Sequence, residues 1–232
     1  MSKVYTYGLE RDGLDRNLGG GFPESALIFI EGGSGGGKSV ICQRLTYGFL
    51  SNNLKVTFIS TQQTTKGFIH QMYSLDYPVA DFLLNRSLLF IPVVPLVKAA
   101  RSRLDFVDRL INADALYTES DIIIIDTISS LIKYDVDPMK GLELIDFFKK
   151  VVAIGKVIIM TADIDSLDEE VSSVFKSTCD VYIELKSKAM MGDIKRSIYV
   201  NKFIGAPDTF KNIVGFRVEP KIGLVIDISA VS

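Results

Sequence analysis

Gly32-Gly33-Ser34-Gly35-Gly36-Gly37-Lys38-Ser39 fits G-x-x-x-x-G-K-[ST], the spacing of a phosphate-binding loop. The apolar run Ala26 to Ile30 before it reads as a buried strand, and Val40 to Leu45 after it opens a helix. The chemistry needs that order. Glycines let backbone N–H groups close around phosphate oxygens, and the helix start adds the positive end of its dipole. Gly32 to Ser39, with Val40 at the helix start, are therefore the candidate nucleotide-binding residues. Lys38 would reach the β- and γ-phosphates of ATP, and the Ser39 hydroxyl would sit on Mg²⁺. A flexible Gly/Ser linker is the plain alternative, but a linker has no need of Lys-Ser at that offset between a strand and a helix.

Asp121-Ile122-Ile123-Ile124-Ile125-Asp126-Thr127 carries the second signal. A buried strand of four apolar residues delivers its terminal carboxylate to the C-terminal edge of a sheet. There Asp126 could hold Mg²⁺, usually through water, as Walker B strands do. A turn or cap aspartate is the competing reading. Asp121 begins the strand and belongs at the opposite edge. His70, the single histidine, has no ligand-spaced partner and is assigned no role.

These residues need a frame, and the composition allows one. The chain has 232 residues, 47% of them hydrophobic, enough for one large α/β domain with a buried parallel sheet. Net charge is −2, so no global field favours nucleic acid. Cys42 and Cys179 lie in no ligand spacing and read as free thiols of a reducing compartment. Met1 to Tyr7 lacks an apolar targeting core, and the longest apolar stretch, Leu88 to Val97, is broken by Pro92 and Pro95. The expectation is a cytoplasmic protein without a membrane span, with association at a membrane surface left open.

Short apolar runs alternate with helical patterns, the signature of βαβ units. Strands are predicted at Leu27 to Glu31, Lys55 to Ser60, Leu88 to Pro92, Ile122 to Asp126, Val157 to Thr161 and Val181 to Leu185. Helices are predicted at Lys38 to Leu50, Thr65 to Ser74, Lys98 to Ala113, Met139 to Ile154 and Leu167 to Ser177. Beyond residue 186, Ser197 to Phe203, Ile213 to Val218 and Leu224 to Ile228 read as antiparallel strands. No repeat, low-complexity tract or linker interrupts the chain, so residues 1–232 are expected to form a single domain.

Several segments resemble the RecA superfamily, in particular its KaiC-like branch. Gly13-Leu14-Asp15-Arg16-Asn17-Leu18-Gly19-Gly20-Gly21-Phe22-Pro23 resembles that branch's opening, and Asp126 to Leu131 its Walker B segment. Cys179 to Leu185 resembles its "A-D-x-x-I-x-L" strand, and Gly192 to Val200 with Lys202 to Gly205 its C-terminal hairpin. The resemblance implies a RecA-like P-loop NTPase: a three-layer α/β sandwich with a mostly parallel central sheet and a C-terminal antiparallel hairpin region. It places the Val157 to Thr161 strand between the phosphate-loop and Asp126 strands, making Thr161 the candidate γ-phosphate sensor. Lys38 to Leu50 and Ser60 to Thr65 are similar to the KaiC-like subunits of the archaeal swimming motor, the archaellum. That likeness implies the motor's hexameric assembly ATPase, membrane platform protein and cytoplasmic ring as partners. It also implies ATP-dependent self-assembly into a hexamer and a peripheral position at the inner face of the membrane.

Two departures bear on mechanism. Where KaiC-like ATPases carry Glu-Glu to activate water, this chain carries Gln62-Gln63. An amide orients water but takes no proton. Where the family's Lys-x-Arg reaches a neighbouring subunit's γ-phosphate, this chain has Lys202-Phe203-Ile204, so Lys202 alone remains for a contact in trans. An arginine finger supplies about 10³-fold or more in rate. The pair of losses implies ATP binding with slow or absent hydrolysis, suited to a switch.

Two other classes compete. A recombinase-like DNA-binding ATPase would use basic clusters such as Lys186, Lys188, Lys195 and Arg196, or Lys98, Arg101 and Arg103. The net charge of −2 and the lack of interleaved aromatics argue against it. A KaiC-like autophosphorylating signalling ATPase would use Ser129, Ser130, Thr64 or Thr65 near the site.

Overall fold

Apolar runs with no polar face must be covered on both sides, and this chain stacks them as parallel strands between two layers of helices. The computed structural model describes residues 3–93, 106–133, 136–190 and 193–227. Strand β1 (Val4–Tyr5), helix α1 (Leu14–Asn17) and strand β2 (Phe22–Pro23) precede the core strand β3 (Leu27–Gly32) and the long helix α2 (Lys38–Ser51). Next come β4 (Val56–Ser60), α3 (Thr65–Ser74), α4 (Ala80–Leu84), β5 (Leu88–Pro92), α5 (Phe106–Ile111) and α6 (Asp114–Thr118). They are followed by β6 (Ile122–Asp126), α7 (Ile128–Ile132), α8 (Pro138–Ala153), β7 (Val157–Asp163) and α9 (Glu169–Thr178). The last described strands are β8 (Val181–Met190), β9 (Asp193–Phe203), β10 (Ile213–Glu219) and β11 (Gly223–Ile226).

One sheet runs β11-β10-β9-β8-β3-β7-β6-β4-β5. From β8 to β5 the neighbours are parallel, and β9, β10 and β11 add antiparallel strands at the other end. Alternation along each strand divides the core in two. Ile28, Ile30, Phe58, Ile124 and Ile159 face α2 and α3 through Ile41, Leu45, Phe49, Phe68 and Met72. Leu27, Phe29, Ile123, Ile125 and Met160 face α7, α8 and α9 through Ile128, Leu144, Phe148, Val171 and Phe175. No described helix is long and apolar enough to cross a membrane.

The parallel strands fall where their apolar runs place them, with differences at the ends. β7 continues past Thr161 to Asp163 because β3 keeps pairing with it, up to Gly32 opposite Asp163. β8 and β9 are longer than expected because they pair with each other out to Met190 and Asp193. Of the helix predicted at Lys98 to Ala113, residues 98–105 lie outside the described residues, and so do Lys98, Arg101 and Arg103. The remainder is α5, which stops before Asn112; there the Asn112 side chain donates to Asp108 O at 2.7 Å and competes with the helix ladder. Residue 228 of the last predicted strand also lies outside.

The N-terminal segment is pinned to the phosphate-loop helix by a buried charge pair. Arg44 of α2 donates to both Asp12 carboxylate oxygens, Nε at 2.6 Å and Nη2 at 2.7 Å, and through Nη1 to Tyr7 O at 2.6 Å. The two side chains are 0% and 2% exposed. Gly48, one turn on, is required by this contact, since any Cβ there would collide with Tyr7 O and Arg44. Removing one partner strands the other charge in the core. Asp12→Ala is therefore expected to lower stability by about 3–5 kcal/mol, read from urea unfolding midpoints at unchanged m-value.

Candidate functional site

β3 ends at Gly32 and hands the chain to a turn that leads directly into α2. Gly33 O accepts from Gly36 N–H at 3.1 Å, which closes the loop on itself. Gly37 stands at the helix start with φ +101°, and a Cβ there would meet Phe216 of β10 at 2.9 Å. The position accepts glycine on both counts. The first N–H groups of α2 have no acceptor within the helix, as at any helix start, and they point out of it as anion donors. Ser34, Gly35, Gly37, Lys38, Ser39 and Val40 line a cavity of about 430 Å³ in front of them. Gly32, Gly33 and Gly36 form the frame behind.

Lys38 is buried and fully engaged. Its Nζ donates to Gly32 O at 2.8 Å, Gly33 O at 2.9 Å and Asp163 Oδ1 at 2.6 Å. Asp163 ends β7 and lines the cavity. It carries the same strand parity as Thr161, so both side chains leave β7 on the same face.

Asp126 ends β6 with no exposure. Its Oδ1 accepts from Thr161 Oγ1 at 3.0 Å and Thr127 Oγ1 at 3.2 Å, while its Oδ2 is buried without a hydrogen-bond partner. Burial pushes its carboxyl above the usual carboxylate range, against the opposing influence of the Ser39, Thr161 and Thr127 hydroxyls and the Lys38 charge. Cys42, one turn into α2, is raised well above the ordinary thiol value by burial first and then by the Asp126 charge. A buried carboxylate oxygen lacking a partner, with the Ser39 hydroxyl nearby, fits a hydrated divalent cation. Asp126 and Ser39 are the residues that would hold Mg²⁺. Such an ion would supply charge neutralisation for phosphate oxygens. Among the described residues no cluster of three or more His, Cys, Asp or Glu side chains offers a second metal site.

The paired glutamines separate. Gln62 is exposed, lines the cavity and reaches Thr127 Oγ1 at 3.5 Å through its Nε2. Gln63 turns away: its Oε1 accepts from Gln43 of α2 at 3.2 Å and its Nε2 donates to Gln71 of α3. Thr161 sits below the cavity floor on Asp126. Lys202 lies at the far end of β9, opposite Tyr182 near the start of β8, and its Nζ donates to Ser177 O at 2.8 Å. That is the sheet edge opposite the phosphate loop, six residues or roughly 20 Å along β9 from Arg196.

Three lining residues were not anticipated as site residues: Asp163, Arg196 and Val218. Arg196 leaves β9 beside the loop and donates through Nε to Gly35 O at 3.2 Å. Period-2 spacing from Thr161 was a signal for Asp163. Arg196 and Val218 had none, because their approach depends on the β9–β10 register that sets Arg196 opposite Phe216.

A P-loop at a strand-to-helix turn, a strand two places along the sheet ending in a buried carboxylate and a third strand between them define a RecA-like nucleotide site. The KaiC ATPase family model matches residues 11–227, and the chain belongs to that family. The archaeal flagellar ATP-binding protein FlaH of Methanocaldococcus jannaschii is 41% identical, across 97% of this chain and 96% of its own. FlaH of Methanococcus voltae is 36% identical, across 97% of each. The crystal structure of the Methanocaldococcus jannaschii flagellar accessory protein FlaH superposes with a TM-score of 0.92 at 40% identity, covering 97% of this chain and all of that one. A KaiC-like protein from Pyrococcus horikoshii, at 16% identity and a TM-score of 0.76, shares the fold over 98% of this chain.

The Asp126 carboxyl leads to a prediction of opposite signs for stability and binding. With its proton held more tightly in the folded chain than in the unfolded one, its stabilising contribution is complete below the ordinary value of 3.8 and is lost as pH rises through the raised folded value. Asp126→Asn is therefore expected to raise the neutral-pH Tm of the metal-free protein, by about 2–4 °C for each kcal/mol recovered. The same variant should abolish the Mg²⁺ dependence of nucleotide binding. Thermal melts and Mg²⁺ titrations at fixed nucleotide check both.

Proposed function

We propose that this protein is the ATP-binding subunit of an archaellum-type motor, acting as a nucleotide-dependent assembly switch rather than a fast ATPase. The observation that carries the switch reading is Gln62. It is the residue after β4 that faces the cavity, and it brings an amide where KaiC-like ATPases bring a carboxylate. The carboxylate that does line the cavity, Asp163, is tied to Lys38. The full-length likeness to FlaH proteins supports the motor assignment.

In this reading the Gly35 to Val40 N–H groups and Lys38 hold the phosphates. Ser39 and Asp126 hold Mg²⁺, and Gln62 orients water without accepting its proton. Gln63 ties the loop after β4 to α2 and α3, so ATP seated against Gln62 would order that loop and select a partner-binding conformation. Lys202, too far from its own loop, would serve only the site of another copy in an ATP-dependent oligomer, a hexamer by family likeness. The partners would be the motor's assembly ATPase, platform protein and cytoplasmic ring, met at the cytoplasmic face of the membrane. One domain over residues 1–232 suffices for this role.

A DNA-binding role is less supported. Lys186 pairs with Glu184 at 3.2 Å, Lys195 with Asp227 at 3.3 Å, and Arg196 is turned onto the phosphate loop. Self-phosphorylation is less supported too: the Ser129 hydroxyl accepts from Asp163 N–H at 3.0 Å, and the Thr64 hydroxyl caps α3.

Titration of Mg-ATP together with single-turnover hydrolysis tests the proposal. The expected result is tight binding with turnover near the solution background, and loss of roughly 10- to 100-fold in affinity for Lys38→Ala. Gln62→Glu restores a proton acceptor and is expected to raise the single-turnover rate by about 10²-fold. Rapid wild-type turnover contradicts the switch.

A further inference from the structure

We propose that Asp163 is a built-in competitor for the γ-phosphate, setting how strongly the site prefers a nucleoside triphosphate over a diphosphate and passing that difference to the 164–168 loop. The inference rests on the nucleotide-binding reading of the site and goes beyond it.

The geometry is direct. Lys38 is 7% exposed and its ammonium has three donors, all used: two on the loop carbonyls of Gly32 and Gly33, the third on Asp163 Oδ1 at 2.6 Å. A bound phosphate that takes the lysine must therefore displace an existing partner. The loop carbonyls belong to the frame that shapes the anion site. Asp163 is the movable partner, with its side chain 35% exposed at a strand end. A diphosphate brings only its β-phosphate to the lysine and no charge beyond it, so the Asp163 carboxylate can stay beside the shared cation. A triphosphate brings further negative charge toward the same ammonium and toward the carboxylate itself. Like charges sharing one cation separate, and Asp163 has solvent to move into.

That movement would not stay local. Asp163 N–H donates to Ser129 Oγ at 3.0 Å on α7. Asp163 O accepts from Ser166 N–H at 3.1 Å and Ser166 Oγ at 2.8 Å, and Ile164 N–H donates to Gly32 O at 3.3 Å. The turn leading to α9 therefore hangs from Asp163 and from the strand that begins the phosphate loop. Its exposed Ile164, 40% accessible, and Leu167 border a second, open cavity of about 500 Å³ with Ser172 and Lys176 of α9. The bonds that Asp163 and Ile164 make here are backbone bonds; the Lys38–Asp163 contact is the side-chain tie that holds the start of the turn against the phosphate loop, and the triphosphate state would lose it while the diphosphate state keeps it.

The experiment measures Mg-ATP and Mg-ADP affinities side by side for wild type, Asp163→Asn and Asp163→Ala. Thermal melts confirm that each variant is folded. Removal of the charge is expected to tighten ATP by about tenfold and ADP by twofold or less, in both variants. An unchanged ATP-to-ADP ratio, or weaker ATP binding, overturns the inference. So does an unchanged ratio with loss of residual hydrolysis, which would assign the carboxylate to water activation. Failure of wild type to bind either nucleotide refutes the nucleotide reading instead. Should the variants not fold, amide hydrogen exchange of the unmodified protein decides. Exchange at residues 164–168 should be faster with a non-hydrolysable Mg-ATP analogue than with Mg-ADP, and equal exchange overturns the inference.

Discussion

A carboxylate buried at the end of β6, with one oxygen held by two threonine hydroxyls and the other unpartnered, sets the terms for the rest of the site. Ionised Asp126 is unfavourable in this setting without a counter-charge. Thr161 reaches it because β7 is inserted between β3 and β6, and Ser39 lies near it because α2 starts directly after the phosphate loop. The parallel sheet thus brings together three strand ends that are far apart in sequence. Their chemistry suits a cation beside an anion. A divalent ion would offset the Asp126 charge, and a phosphate would accept from the N–H groups at the helix start. Ligands that bind the folded chain in this way would add to its stability.

The surroundings keep that geometry fixed while leaving two segments able to respond. The antiparallel end of the sheet closes over the loop through Phe216 against Gly37 and Arg196 against Gly35 O. The same hairpin reaches α3 and the segment after it: Lys221 N–H donates to Ser74 O at 2.8 Å and Leu224 N–H to Tyr77 OH at 3.0 Å. The Arg44–Asp12 pair fixes the other flank of α2. Against this background, the loop carrying Gln62 and the turn hung from Asp163 both end at the cavity and are held by polar contacts rather than by core packing. They are the parts whose equilibrium a phosphate can bias.

Much of this is legible in the amino-acid sequence, and what is not has a physical cause. The phosphate loop and Asp126 are read from local spacing because their chemistry is local: a glycine-rich turn entering a helix, and an apolar strand with a terminal carboxylate. The parallel strands were equally plain from runs such as Ile122 to Ile125, apolar on both faces. Asp163 was signalled only by its period-2 spacing from Thr161, because the end of β7 that carries it is set by the length of β3. Arg196 and Val218 were hidden because antiparallel register is a property of two strands. Gln62 and Gln63 look alike in the chain, and only Gln43 and Gln71, from two other helices, separate the one that faces the cavity from the one that braces it.

The most direct test is a crystal structure with Mg²⁺ and a non-hydrolysable ATP analogue. The expected result is a triphosphate along the Gly35 to Val40 backbone, with Lys38 moved from Asp163 to the phosphates. The metal is expected on Ser39 Oγ, with Asp126 Oδ2 bound to it directly or through one water. A nucleotide seated elsewhere, or an Asp126 Oδ2 still unpartnered with the nucleotide in place, would contradict it.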